Sequence, residues 1–291
     1  MERARAGDAE AQCDLGRFYF EQADDADAAI HWFSAAAKQG LPRANHNLGV
    51  MAANVDRLEI AKACFAKAAL AGWANSNQAL GVIFRQEGDL DRAAVCFAKA
   101  IEGGNAQALA DLASIVMDGT TDDRYSEALR LARAAAQKGV AGAYTTLFLI
   151  YNEGLGVPQD QLAAVGFARQ GAELGDASSQ AIYGVFLHAG KFVTRDLDEA
   201  AFMLSMAAQQ GNYAAQAYYR RALDSLNDEQ LARLDERLKG AGYRHMAPLG
   251  GNRFWRVWIK RPLSKFYFHF LIRTGQSGKL DKLIAEGLRQ K

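Results

Sequence analysis

The 291-residue chain has few of the residues that interrupt or cross-link a fold. It contains only 4 prolines, which suits a helical protein, because proline lacks a backbone N–H and breaks helix interiors. Its 3 cysteines are a sparse and odd set, which argues against a disulfide framework and is compatible with a reducing compartment. No stretch approaches the roughly 20 apolar residues of a membrane-spanning helix, and no signal peptide is visible. We expect a cytoplasmic protein, membrane-associated if its tail binds lipid, or a periplasmic one if a leader has been removed.

The net charge of +1 conceals two segments of opposite charge. Residues 1–240 carry 23 Lys and Arg against 31 Asp and Glu, a balance of −8, whereas residues 241–291 carry 11 against 2, a balance of +9. A concentrated positive charge favours contact with something anionic. The sequence therefore predicts a domain over 1–240 and a basic, aromatic-rich C-terminal extension over 241–291.

A glycine recurs at nearly constant spacing along the first of these segments. The intervals are 33, 32, 32, 35, 36 and 36 residues, and the glycines are Gly7, Gly40, Gly72, Gly104, Gly139, Gly175 and Gly211. Self-similarity at this period is typical of helical repeat arrays, in which each unit packs on its neighbours. We predict helix pairs over 8–40, 41–72, 73–104, 105–139, 140–175 and 176–211, with a degenerate pair over 212–240 whose second helix begins at Asn227 with Gln230 in a capping box.

The unit that ends at Gly175 shows how one repeat is built. Ala143, Leu147 and Tyr151 lie at four-residue steps on one helix face, and the segment 154–158 then interrupts the helix with glycine and proline. Small residues recur four positions after the opening glycine and eleven before the closing one. Small side chains at helix crossings allow close packing, so the pattern predicts architecture and requires no ligand.

This pattern resembles the Sel1-like repeat, a relative of the tetratricopeptide repeat, over roughly residues 7–240. The resemblance implies an all-α fold, a right-handed α-α superhelix (solenoid) of six to seven helix pairs followed by a C-terminal capping segment. It also implies a non-catalytic bacterial scaffold or adaptor that binds protein partners, in processes such as signalling, secretion or toxin neutralisation. The matching residues in the best unit are Ala143, Tyr151, Gly154, Gly156, Val157, Asp160, Ala164, Phe167, Ala172 and Gly175.

In tetratricopeptide-like solenoids the first helix of each pair lines the concave groove. If that carries over, the residues three, six, ten and thirteen positions after each opening glycine face a partner. Amides and guanidinium groups suit an extended peptide backbone or a carboxylate, because they offer donors and acceptors in fixed geometry. The predicted partner-binding residues are Arg17, Arg43, His46, Asn75, Gln78, Arg85 and Gln107.

The C-terminal extension departs from the repeat and leaves several interpretations open. After Pro262, an apolar stripe fits one face of an amphipathic helix, formed by Leu263, Phe266, Tyr267, Phe270 and Leu271. The segment could cap the last repeat, bind an anionic membrane surface as a peripheral anchor, or dock on a partner protein. Nucleic-acid binding is disfavoured because no binding motif accompanies the charge. The candidate contact residues are Trp255, Arg256, Trp258, Lys260, Arg261 and Lys265.

The sequence shows no pattern typical of catalysis. The 5 histidines are scattered without the spacing of metal ligands. None stands beside a cysteine or serine in a nucleophile motif. Gly154 and Gly156 lack the Gly-Lys-Ser/Thr step of a phosphate-binding loop. We therefore predict no enzyme activity, no catalytic residue, no metal site and no cofactor.

Overall fold

The structure, a computed structural model, describes residues 1–121 and 123–242. These residues form fifteen α-helices and no strand. The helices are α1 (Glu2–Arg5), α2 (Ala9–Glu21), α3 (Ala26–Lys38), α4 (Pro42–Asn54), α5 (Leu58–Leu70), α6 (Ala74–Gln86), α7 (Leu90–Glu102), α8 (Gln107–Asp118), α9 (Arg124–Gln137), α10 (Ala143–Glu153), α11 (Gln161–Glu173), α12 (Ala177–Ala189), α13 (Leu197–Gln209), α14 (Tyr213–Asp224) and α15 (Asp228–Gly240).

The described residues divide into two compact units, 1–108 and 109–242. In the first unit α2 packs on α3, α4 on α5 and α6 on α7, and in the second α10 packs on α11 and α12 on α13. Each predicted helix pair contains two helices, so the all-α repeat fold is confirmed. The short helix α1 precedes the first pair and was not predicted. The predicted boundary at residue 240 stays a prediction, because most of the extension lies outside the described residues.

Side chains and glycines at the helix ends explain why the chain breaks where it does. Asparagine or aspartate caps many of the helices, as Asp8 does by accepting a hydrogen bond from the amide of Ala11 at 2.8 Å. The predicted capping box of Asn227 and Gln230 is confirmed, because each side chain bonds the other residue's backbone amide. All seven opening glycines have positive φ, between 75° and 96°, which glycine adopts without steric cost.

Glycine also allows the two helices of a pair to come close together. The ring of Phe33 in α3 lies directly over Gly16 in α2, and Phe65 lies over Gly49 in the next pair. A Cβ atom at either glycine would come within 2.7 Å of the ring. The predicted alanine position eleven residues before each closing glycine is fully buried, in Ala29, Ala61, Ala93, Ala128, Ala164 and Ala200. In these two pairs, large rings therefore pack into spaces left by small residues.

Candidate functional site

All seven predicted partner-binding residues lie in the first unit. Arg17 is on α2, Arg43 and His46 are on α4, and Gln107 is the first residue of α8. The remaining three, Asn75, Gln78 and Arg85, are on α6. We call the surface formed by α2, α4, α6 and the start of α8 the first-helix face. The positions of these residues do not test whether a partner binds there, so their partner-binding role stays a prediction.

Arg43 forms an ion-paired corner with α2. Its Nη2 lies 2.6 Å from Glu10 Oε2 and 3.0 Å from Asp14 Oδ1, and Arg17 lies 3.5 Å from the same Asp14 oxygen. The Arg43 side chain is 28% exposed, whereas Glu10 and Asp14 are 61% and 54% exposed. The corner therefore presents two accessible carboxylates beside a largely enclosed guanidinium group.

Beneath this corner lies Cys13, one of three free cysteines. The side-chain amide Nδ2 of Asn47 lies 3.5 Å from Sγ of Cys13. Burial raises the pKa of the Cys13 thiol, an effect that the nearby Arg43 guanidinium opposes. A thiol held in its neutral form is a poor nucleophile, so the Cys13 environment is that of a packing residue.

His46 is a packing residue as much as a surface residue. Its ring lies 5.3 Å from the Phe65 ring and 6.3 Å from the Trp73 ring, measured between centroids. Its Nδ1 lies 2.9 Å from Oγ of Ser76, which is fully buried. Burial lowers the pKa of the imidazole. His46 thus links α4 to α6, and a partner would reach only part of its ring.

The remaining predicted residues differ in how far they reach solvent. Asn75 and Gln107 are exposed, and Asn75 Oδ1 accepts a hydrogen bond from Asn105 Nδ2 at 2.9 Å. Asn105 in turn caps α8, because its Oδ1 accepts from the amide of Ala108. Gln78 and Arg85 are half-buried. The exposed amides of Asn75 and Gln107 are therefore the more accessible hydrogen-bonding groups.

The sequence analysis overlooked the carboxylates that pair with Arg43. Glu10 stands three residues after Gly7, just as Arg43 stands three after Gly40. The repeat register gives these residues the same position on successive first helices, but it does not by itself show that their side chains meet. The sequence analysis also overlooked Phe18, an apolar side chain on α2 that is 44% exposed.

The predicted contact residues of the extension, from Trp255 to Lys265, lie outside the described residues, so their membrane or partner contact stays a prediction. Within residues 1–121 and 123–242, no group of three or more His, Cys, Asp or Glu is placed to hold a metal ion. Over that same part of the chain, no helix has the length and apolar character needed to cross a membrane.

Comparisons with known proteins agree with this architecture. The Sel1 repeat matches residues 9–41, 106–140, 142–176 and 177–212, and the tetratricopeptide repeat matches residues 74–102. No curated protein matches the chain significantly.

Two solved structures share the fold. One is c5321, a protective antigen of uropathogenic Escherichia coli with an SLR fold, at 22% identity and a TM-score of 0.62; the match covers 86% of this chain and 59% of that one. The other is a Sel1 repeat protein from Oxalobacter formigenes, at 23% identity and a TM-score of 0.59. This second match covers 79% of this chain and 99% of the Oxalobacter chain. Sel1 and tetratricopeptide repeats generally mediate protein–protein interactions. The chain therefore carries Sel1 repeats, matched in sequence over just under half of its length, in a fold that solved Sel1 repeat proteins share.

Proposed function

We propose that the protein is a non-catalytic scaffold that binds an extended segment of a partner protein on the first-helix face. The observation that carries the proposal is a row of polar side chains at one repeat position, Glu10, Arg43, Asn75 and Gln107. Arg43 on α4 contacts Glu10 on α2 at 2.6 Å, and His46 on α4 contacts Ser76 on α6 at 2.9 Å, so these first helices lie side by side. The row therefore offers hydrogen-bonding groups from successive repeats to the backbone of an extended peptide.

The chemistry of the row favours a partner segment of mixed polarity. Glu10 and Asp14 keep more than half of their surface accessible, at 61% and 54%, and suit a lysine or arginine of the partner. The amides of Asn75 and Gln107 each offer donors and an acceptor to a peptide backbone. Because Arg43 is already paired with two carboxylates, we expect it to orient them and to contribute less to a partner carboxylate.

The proposal is tested with a variant that removes exposed groups only. Arg17, Asn75 and Gln107 are all exposed, so their combined replacement by alanine should leave the unfolding midpoint nearly unchanged. A partner is first identified by photo-crosslinking from position 107 in native cells, and its affinity is then measured by calorimetry with the purified proteins. We expect the triple variant to bind about ten-fold or more weakly, as for interface residues that contribute directly.

A matched control carries three alanines on the second helices of the same unit, at the exposed residues Lys67, Lys99 and Glu102. It should bind the partner as the unmodified chain does. Equal affinity of the first-helix variant and the unmodified chain, or an equal loss in both variants, would contradict the assignment of binding to this face.

A further inference from the structure

The loop between α12 and α13 has the same backbone course as the loop between α10 and α11, one repeat earlier. Gly190 and Gly154 end the preceding helices in the left-handed region, with φ angles of 67° and 71°. Two residues later, Phe192 and Gly156 again have positive φ, at 62° and 67°. Each loop closes with a backbone hydrogen bond to its preceding helix, of 3.1 Å and 2.9 Å respectively. The two loops can therefore be compared side chain by side chain.

The α12–α13 loop differs from its counterpart in charge and in apolar surface. Residues 190–195 contain two cations, Lys191 and Arg195, and no acid, whereas residues 154–159 contain no charged residue. Both cations are exposed, as is Phe192 between them in sequence. Because the earlier loop follows the same course with neutral side chains, the repeat itself requires neither the cations nor the aromatic ring.

Arg195 uses only part of its guanidinium group within the fold. Its Nε donates to the carbonyl of His188 at 3.1 Å, and Gln159 makes the equivalent bond, from Nε2 to the carbonyl of Asn152 at 2.7 Å. A neutral amide therefore suffices to hold such a loop. Within residues 123–242, neither Arg195 nor Lys191 forms an ion pair. The Nη groups of a guanidinium are suited to bind a carboxylate with two parallel hydrogen bonds.

Phe192 extends a row of aromatic rings from the core to the surface. The buried Phe148 ring lies 5.9 Å from the Phe186 ring, which lies 6.3 Å from the Phe192 ring. Phe192 is 39% exposed, and the ammonium of Lys191 lies 5.0 Å from its ring centre. A bulky residue in the left-handed region is a conformational outlier, and such outliers cluster at binding sites. The loop therefore holds an accessible ring beside an unpaired cation.

The carboxylates that follow the loop are already engaged. Asp196 caps α13 by accepting a hydrogen bond from the amide of Glu199 at 2.9 Å. Asp198 accepts from Arg233 at 2.9 Å, and the Glu199 side chain accepts from Arg237 at 2.6 Å. These acids therefore face α15 and leave the positive charge of the loop uncompensated.

The C-terminal end of α14 adjoins the loop. Nε2 of His188 lies 3.2 Å from Oγ of Ser225, the residue that follows α14. The last five residues of α14 contain Arg220, Arg221 and one acid, Asp224. The excess of positive charge therefore continues from the loop to this end of α14.

We propose that the α12–α13 loop, with the adjoining end of α14, binds a short acidic segment of a partner protein that also carries an apolar side chain. Lys191 and Arg195 pair with the carboxylates of this segment, and the ring of Phe192 packs on its apolar side chain. The surface belongs to the second unit, and its test does not depend on the first-helix face.

Charge favours this occupant over two others. The C-terminal extension, with a balance of +9, carries the same sign as the loop and is repelled by it. Nucleic acids bind through many phosphate contacts, whereas the loop offers two cations on an array whose residues 1–240 have a balance of −8. A short acidic segment needs only a few charged contacts, so it matches what the loop offers.

A loop exchange in the full chain tests the proposal. Lys191→Leu, Phe192→Gly and Arg195→Gln together give the α12–α13 loop the side chains of its counterpart. The urea midpoint should be unchanged or higher, because glycine adopts positive φ without steric cost and glutamine holds the earlier loop. Random heptapeptides displayed on phage are selected on the unmodified chain after depletion on the exchanged variant. We expect enrichment of sequences that combine acidic residues with an aromatic or aliphatic one.

The affinity of the most enriched peptide is then measured by fluorescence anisotropy. We expect the exchanged variant to bind it about ten-fold or more weakly. Arg195→Gln alone should also weaken binding, and the affinity of the unmodified chain should fall as salt is added. The matched control is Arg130→Gln with Arg169→Gln, which removes two exposed positive charges elsewhere in the second unit. It should bind the peptide as the unmodified chain does.

Four results would overturn the proposal. The first is selection that enriches nothing over the exchanged variant, or that enriches peptides without acidic residues. The second is an equal loss of affinity in the control, which would mean that binding follows net charge and not the loop. Tighter binding of single-stranded oligouridylate than of the peptide would identify a nucleic-acid surface. Self-association of the unmodified chain that the exchange abolishes, measured by analytical ultracentrifugation, would identify a second copy as the occupant.

Discussion

Gly166 and Gly171 lie five residues apart in α11 and have different surroundings. A Cβ atom added at Gly166 would meet no atom within 4 Å, whereas one added at Gly171 would overlap Oγ of Ser179 and come within 2.9 Å of Tyr144 Cβ. We expect Gly166→Ala to stabilise the fold by about 0.5–1 kcal/mol, since glycine weakens a helix interior. We expect Gly171→Ala to destabilise it by about 1–3 kcal/mol through overpacking. Urea denaturation of both variants checks this, and shifts of the same sign would contradict it.

His46 should make the stability of the first unit dependent on pH. Burial lowers the imidazole pKa below its ordinary 6.5 in the folded protein. As the pH falls below 6.5, unfolded chains bind a proton at this site and folded chains do not, so the free energy of unfolding decreases until the folded pKa is reached. The contribution is fully present above pH 6.5.

The measurement compares urea midpoints at pH 7.5 and pH 5.5. His46→Gln should show a smaller loss between the two conditions than the unmodified chain, because glutamine does not titrate. His31→Gln is the matched control, since His31 is exposed on α3. An identical pH dependence of His46→Gln and the unmodified chain would rule out His46 as the cause.

Phe192 shows how a single residue can depart from the repeat. It occupies the repeat position of Gly156, and the two have φ angles of 62° and 67°. The left-handed region costs an L-residue about 1–2 kcal/mol. The Phe192 ring lies 6.3 Å from the Phe186 ring, and the ammonium of Lys191 lies 5.0 Å from its centre. These ring contacts offset part of the backbone cost that glycine avoids in the preceding unit.

At the scale of helices, the contact of Gly49 with the Phe65 ring is the joint between α4 and α5. A Cβ at Gly49 would lie 2.7 Å from two ring atoms. We expect Gly49→Ala to cost about 1–3 kcal/mol, since the buried ring must move. Combined with Phe65→Leu, which removes the ring, the alanine should cost less than it does alone. A double-mutant cycle should give a coupling free energy of about 0.5–3 kcal/mol, and strictly additive effects would show that the two side chains do not define the crossing.

A pair of glutamines joins the end of the second helix to the first helix in both units. Gln12 donates to the carbonyl of Ala4 at 3.1 Å and accepts from Gln39 at 2.8 Å. In the second unit Gln180 donates to the carbonyl of Ala172 at 3.3 Å and accepts from Gln210 at 2.9 Å. Because Gln12 and Gln180 are buried, these bonds satisfy amides that would otherwise be costly to enclose.

At the scale of the whole chain, the sequence predicted those features of the fold that follow from its repeat period. The glycine spacing located the helix pairs, and the small residues predicted close crossings, because both recur in register. Side-chain contacts between repeats were harder to predict, because they join residues that are distant in sequence; Arg43 and Glu10, for example, are 33 positions apart. The enclosure of His46 depends on Phe65 and Trp73 together, which no single pattern reveals. The division into units at residue 108 follows a change in the glycine interval, from 32 residues before Gly104 to 35 after it, which the sequence analysis did not use.

An array of this kind should respond locally to a local defect. Stability in repeat proteins is approximately a sum of repeat terms and nearest-neighbour contacts. We therefore expect Gly49→Ala to accelerate hydrogen exchange in α4 and α5 and to leave α12 and α13 unchanged. Gly184→Ala, whose Cβ would lie 2.8 Å from Leu204 Cγ, is the reciprocal variant and should accelerate exchange in α12 and α13 only. Equal acceleration in both regions with either variant would mean that residues 1–108 and 109–242 open in one cooperative step, and that nearest-neighbour contacts do not limit the response.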